Sequence, residues 1–146
     1  MSDPHPPEVP SVPQALGRLR VALNNSFSRA SREVGLTPQQ AELLCYAFTP
    51  RSIGELAALL HCDRSNVSHL VDRAAARELL VRRPDDDDGR VSRVALTDDG
   101  HATATDFIRR LEALTSDLRA TWTPEYTATA AIVLTEVAES LETPPR

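Results

Sequence analysis

The sequence predicts a mainly helical chain with one small β-hairpin wing: a winged helix-turn-helix flanked by long terminal helices. Three observations lead there. Leu, Ala and Val supply most of the apolar content and aromatic residues only 4%, a balance that favours helices over strands. Toward both ends, apolar residues recur at spacings of three and four, one helix face. Between them, Ser52 to Thr97 reads in order as a short helix, a tight turn, a second helix and a hairpin with a charged tip. A length of 146 residues suits one domain with a sizeable core.

Each element has its own signal. Residues 1–13 hold five Pro and no helical pattern, so residues 1–11 are expected to form a flexible arm. Leu16, Leu19, Leu23, Phe27, Ala30 and Val34 then mark one face of a helix that Gly35 ends. Thr37-Pro38-Gln39-Gln40 is a capping box with Pro at the first helical position, opening a helix through Phe48 before Thr49-Pro50 breaks it. Ser52 and Glu55 form a second capping box for a short helix through Leu60, and Asp63 suits the N-cap of the next, which runs to about Arg77. Leu79 to Arg83 and Val91 to Leu96 read as strands joined by the turn chemistry of PDDDDGR. Thr97 caps a helix from Asp98 to about Thr121, with Phe107, Leu111, Leu114 and Leu118 on one face; Thr123-Pro124-Glu125 opens a last one ending near Leu141. Neither terminal helix is needed to complete so small a core, which suggests a platform for dimerisation. The expected organisation is an arm over 1–11, a helical dimerisation region over 12–35 and 98–142, and a winged helix-turn-helix lobe over 36–97.

The chemistry concentrates on the helix from Asp63. If Val67, Leu70, Val71 and Ala74 face inward, then Arg64, Ser65, Asn66, Ser68 and His69 face outward or flank, with Arg73 further along. Arg, Asn and Ser donate and accept along base edges, and the first turn of such a helix approaches the major groove most closely. A polar outer face is common to any exposed helix; the preceding helix and the hairpin are what make this one a DNA reader. On or beside the hairpin lie Arg82, Arg83, Arg90 and Arg93. A narrow A·T-rich minor groove attracts an inserted Arg. Arg90, after Gly89 at the tip, is the first candidate, with Asp88 placed to hold its guanidinium by a charge-assisted pair.

The formal net charge of −5 does not decide against nucleic acid, since binding depends on where basic groups sit. All 16 basic residues are Arg, and seven fall between Arg64 and Arg93 among nearly as many acids. The four consecutive Asp do not read as a calcium loop: aligning Gly89 with that loop's glycine puts Pro84 and Ala95 where acids are required. No metal site, cofactor or enzyme activity is expected: no nucleophile has a plausible base and no glycine loop cradles a phosphate. The sequence holds no membrane-length apolar run, and no secretory leader is expected. Its two Cys, Cys45 and Cys62, have no CxxC spacing and fit a reduced cytoplasmic setting.

The segment from Leu36 to His101 resembles the MarR family of winged helix-turn-helix transcription regulators. LTPQQAELL is similar to that family's second helix, SIGELAALL and DRSNVSHLVDRAAARELLVRRP to its third and recognition helices, and DGRVSRVALTDDG to its wing signature. The resemblance implies a homodimer with intertwined terminal helices. Recognition helices would enter successive major grooves of a pseudo-palindromic double-stranded operator, with wings in the minor groove. It assigns Arg90 as the wing arginine, Asp88 as its partner and the first-turn residues of the recognition helix as base readers. It also implies a repressor released by a small lipophilic or phenolic effector. Glu78 departs from the pattern, standing where the family often has Gly; a left-handed cap is costly for a residue with a β-carbon, so either the helix ends differently or the turn is strained. The expected DNA-binding set is Arg64, Ser65, Asn66, Ser68, His69, Arg73, Asp88, Arg90 and Arg93. Two alternatives stay open: a thiol-based redox regulator of the same fold triggered at Cys62, and a winged-helix protein–protein module that does not bind DNA.

Overall fold

The computed structural model describes residues 9–142, the side chains of 114, 115 and 117–119 excepted. Most of the expected arm, residues 1–8, lies outside the described residues, as do the side chains of Leu114 and Leu118. The chain forms α1 (Val12–Glu33), α2 (Pro38–Tyr46), β1 (Arg51–Ser52), α3 (Ile53–Leu59) and α4 (Arg64–Ala75). Then come β2 (Leu80–Pro84), β3 (Ser92–Leu96), α5 (Asp98–Thr121) and α6 (Pro124–Glu142). One compact unit ends at Leu111 and a second begins at Glu112.

The mostly helical architecture with a small sheet is the one the sequence predicts, with an addition. The sheet has three strands in the order β1-β3-β2, all antiparallel. Strand β1 is two residues long, too short for any alternation to reveal. It pairs Arg51 with Val94 and Ser52 with Arg93, so the hairpin is sewn to the entrance of α3. Both foreseen capping boxes form: Thr37 with Gln40 and Ser52 with Glu55. A third, Ser11 with Gln14, opens α1. Asp63 is the N-cap of α4, although its side chain makes no cap hydrogen bond.

The core of the first unit includes Leu43 and Leu44 from α2, Leu56 from α3, Val67 and Val71 from α4, Val94 from β3 and Phe107 from α5, all essentially inaccessible to solvent. Phe27 of α1 meets the Phe107 ring edge-on, centroids 4.9 Å apart, and Ala30 of α1 and Ala104 of α5 are buried beside them, so the flanking helices help complete the core that the sequence suggested could close without them. Arg110 of α5 donates to Glu33 of α1 at 2.6 Å and to Asp106 at 3.1 Å.

Helices α1, α3 and α4 end alike. In each, a residue in the left-handed region donates its N–H three residues back and the next residue donates five back, satisfying the last carbonyls. After α1 this residue is Gly35 at φ 71°. After α3 it is His61 at φ 49°, and after α4 it is Glu78 at φ 58°. The turn at Glu78 is therefore the strained alternative of the two that the sequence allowed, and the strain at His61 has no counterpart in the sequence reading. Each costs on the order of 1–2 kcal/mol relative to glycine's free access. Around Glu78 the surroundings compensate. Thr97 Oγ1 donates to the Glu78 carbonyl at 2.5 Å, Thr97 N–H donates to the Leu79 carbonyl at 3.1 Å, and Thr97 Oγ1 accepts the Gly100 N–H at 3.0 Å. A Cβ on Gly100 would stand 1.9 Å from the Leu79 carbonyl oxygen. Leu-Thr-x-x-Gly is thus the joint where α5 closes against the end of α4.

Candidate nucleic-acid interface

Helix α4 is oriented by its apolar stripe. Val67, Leu70, Val71 and Ala74 are all buried, which turns Arg64, Ser65, Asn66, His69 and Arg73 to solvent and leaves Ser68 half-buried at the edge. The helix-turn-helix turn is held by Cys62 N–H donating to the Ala57 carbonyl at 3.0 Å. The Arg64 guanidinium lies over Gly54 of α3, where a Cβ would come within 3.1 Å of its Nη2. That glycine leaves space for the arginine to lie at the mouth of the turn.

The wing pairs β2 with β3 from Leu80↔Leu96 to Pro84↔Ser92. Asp85 closes its tip: Oδ1 accepts the N–H groups of Asp87 at 2.9 Å and Asp88 at 3.0 Å, and Asp85 N–H donates to the Val91 carbonyl at 2.8 Å. Asp88 differs from the expectation placed on it. Its Oδ1 accepts the main-chain N–H of Arg90 at 3.0 Å, and no ion pair among the described residues holds the Arg90 guanidinium. Asp88 therefore shapes the backbone that carries Arg90 and leaves its side chain exposed.

The arginines divide into two classes. Arg82 reaches from β2 back to α4, donating to Asp72 at 2.7 Å and to Ser68 Oγ at 3.3 Å. Arg93 on β3 donates through Nε to Asp85 Oδ2 and through Nη1 to Glu55 Oε2 at 2.6 Å. Among the described residues Arg64, Arg73, Arg83 and Arg90 form no ion pair and are exposed. Arg83 and Arg90, together with Gly89 and Val91, border a cleft of about 230 Å³ on the wing. Of the expected set, Arg93 is turned inward and Ser68 is partly engaged. Arg82, Asp72 and Asp85 make contacts that sequence reasoning did not assign, and Glu55 makes one beyond its capping box. The strand alternation that separates Arg82 from Arg83 was readable; the partners of Arg93, 8 and 38 residues away, were not.

The electrostatics follow the contacts. The Arg93 hydrogen bond, then the N–H groups of Asp88 and Asp87, hold the Asp85 carboxyl down to about 2. The main-chain and side-chain hydrogen bonds of Ser52 come first in lowering Glu55, with Arg93 and Arg51 adding to them. Burial, with the Glu42 charge, pushes the Cys45 thiol up to about 11, which makes it a poor thiolate source. Cys62 is half-buried and its thiol donates to the Leu60 carbonyl at 3.2 Å. Among the described residues no group of three or more His, Cys, Asp or Glu is placed to hold a metal ion.

The model of the MarR family matches residues 34–91, from the end of α1 through the wing tip. The winged-helix lobe is of the MarR family. The MarR-type fold extends beyond the matched residues. CouR of Rhodococcus jostii, solved with p-coumaroyl-CoA, is 22% identical with a TM-score of 0.75, covering 93% of this chain and 94% of its own. BpsR of Bordetella bronchiseptica, whose DNA binding is regulated by 6-hydroxynicotinic acid, is 24% identical with a TM-score of 0.66, covering 94% and 98%. A variant of MepR of S. aureus bound to an oligodeoxyribonucleotide is 18% identical with a TM-score of 0.63, covering 91% and 99%. No curated protein matches the chain. Among the described residues no helix is long and apolar enough to cross a membrane.

Proposed function

We propose that this MarR-type chain is a sequence-specific double-stranded DNA-binding transcription regulator, a homodimeric repressor working in the cytoplasm and released by a small lipophilic or phenolic effector. One observation carries the reading. The buried stripe of α4 turns Arg64, Ser65, Asn66 and His69 outward together, and the neighbouring wing presents Arg90 with no ion pair among the described residues. Donors and acceptors in the first two turns of such a helix suit base edges in the major groove, and the unpaired wing arginine suits the minor groove.

The dimer reading rests on apolar surface that each terminal element leaves exposed. On α1, Val12, Val21 and Leu23 are exposed; on α6, which buries none of its residues, Tyr126, Ile132, Val133 and Leu134 are exposed. A terminal helix that carries exposed apolar side chains and buries none of its own residues suits burial against a second copy, and a two-fold pair would present two recognition helices about one helical turn apart, ~10 bp. The effector reading draws on CouR and BpsR, and requires the ligand to favour the state that does not bind DNA.

The test is selection of bound duplexes from a random pool by the purified chain at physiological salt. An enriched inverted repeat is expected. No enrichment from protein shown to be folded and dimeric would overturn the reading in favour of a protein–protein module.

A further inference from the structure

Four consecutive aspartates, Asp85 to Asp88, sit at the tip that the reading above places against a polyanion. By charge alone each would weaken binding. Asp85 is different from its exposed neighbours Asp86 and Asp87, because it is turned inward: its side chain is 14% exposed, against 31% for Arg93 and 48% for Glu55.

These three groups form a continuous chain of contacts. Glu55 Oε2 accepts the Ser52 N–H at 2.7 Å, inside the capping box of α3, and also accepts from Arg93 Nη1 at 2.6 Å. Arg93 Nε donates to Asp85 Oδ2, and Asp85 Oδ1 accepts the N–H groups of Asp87 and Asp88. Asp88 Oδ1 accepts the N–H of Arg90. From the first turn of α3 to the backbone of Arg90 the hydrogen bonds are unbroken. A planar guanidinium can bridge two carboxylates on different elements with fixed geometry, which an ammonium cannot. The three side chains together carry one negative charge, so the cluster offers DNA no cation.

We propose that Glu55, Arg93 and Asp85 form a clasp that positions the wing, so that two acidic side chains beside the DNA surface strengthen DNA binding. Arg93 is then a positioning residue and not a phosphate contact. The inference rests on the DNA-binding reading for its effect on affinity; the clasp itself is a property of the free chain.

The test uses the full chain and the duplex it selects, with Asp85→Asn, Glu55→Gln, Arg93→Gln and the Asp85→Asn/Arg93→Gln double variant. Asn retains the turn acceptor and Gln the capping-box acceptor, so Asp85→Asn and Glu55→Gln weaken the pairing with Arg93 and spare the local turn and cap, and Arg93→Gln removes both pairings at once. All three single variants are expected to bind about three- to ten-fold more weakly. The double is expected to be no worse than its weaker single, and the slope of log affinity against log salt to stay unchanged. Asp86→Asn and Asp87→Asn, whose carboxylates accept no hydrogen bond among the described residues, are expected to bind more tightly. Tighter binding by Asp85→Asn, or a slope reduced by about one in Arg93→Gln, overturns the proposal. Amide exchange in the DNA-free chain decides the clasp independently. Asp87 and Asp88 N–H groups exchange faster in Arg93→Gln if it exists, and unchanged exchange refutes it. A wild-type chain that binds no duplex refutes the DNA reading instead, with the exchange result still ruling on the clasp.

Discussion

Helix α4 turns four side chains, Val67, Leu70, Val71 and Ala74, into the core, whereas the wing from Arg82 to Ser92 has no fully buried residue. The helix is rotated into place by apolar burial, which salt and pH barely touch. The wing is held by strand pairing and by charge, through Arg82 to Asp72 and Arg93 to Asp85 and Glu55. Exposed ion pairs are weak and screened. The two parts of one interface therefore have different tolerances: the helix is robust in orientation, and the wing is adjustable at modest cost.

The largest effect that would sharpen this contrast is at Leu70, 8% exposed. Leu70→Ala is expected to destabilise the lobe by about 2–5 kcal/mol in urea unfolding. A loss under about 1 kcal/mol would mean the stripe does not set the helix. Next come the groups that the proposed function places against DNA. Asn66→Ala is expected to relax base preference at one position per half-site, at ~1–3 kcal/mol. Arg90→Ala is expected to weaken binding to all sequences and to lower the salt slope by about one. Titration of both variants against the selected duplex and its single-base variants, at several salt concentrations, would separate them; equal losses on every sequence would erase the division between helix and wing.

Smaller, and opposite in sign, is relief of strain between the two parts. Glu78→Gly is expected to raise stability by roughly 0.5–1 kcal/mol, since the left-handed penalty of ~1–2 kcal/mol outweighs glycine's extra unfolded-state entropy of ~0.4–1 kcal/mol. Thermal unfolding reads this directly, and a drop in stability would show that the Glu78 carboxylate has a role its backbone does not reveal. The smallest effect concerns acid. The folded Asp85 carboxyl titrates near 2, below its unfolded value of about 3.9. Its contribution is thus complete above the unfolded value and is lost as pH falls toward 2. Wing amide protection should survive to about pH 4 and fade below it, while the protection of α4 persists. Simultaneous loss in both would argue that the wing is not held separately.

Much of this was legible along the chain because its causes are local. Thr37, Ser52 and Thr97 announce their helices through partners three residues away, and the stripe of α4 follows from a period of 3.6. Strand β1 was not legible, since two residues carry no period. The left-handed turn at His61 was not either, because nothing in the residue types His61 and Cys62 signals it. Arg93 illustrates the difficulty at the site. From sequence it is one more exposed arginine on a charged hairpin. Only the fold brings Glu55, from another element, within 2.6 Å of it.

Backbone preference and apolar periodicity, which act over a few residues, determined the element order, the outward face of α4 and the resemblance of the lobe. The tertiary structure decided which charges face inward. A guanidinium is neutralised by whichever carboxylate the fold brings within hydrogen-bonding distance, and that distance depends on how strands and helices pack, not on their spacing in the chain.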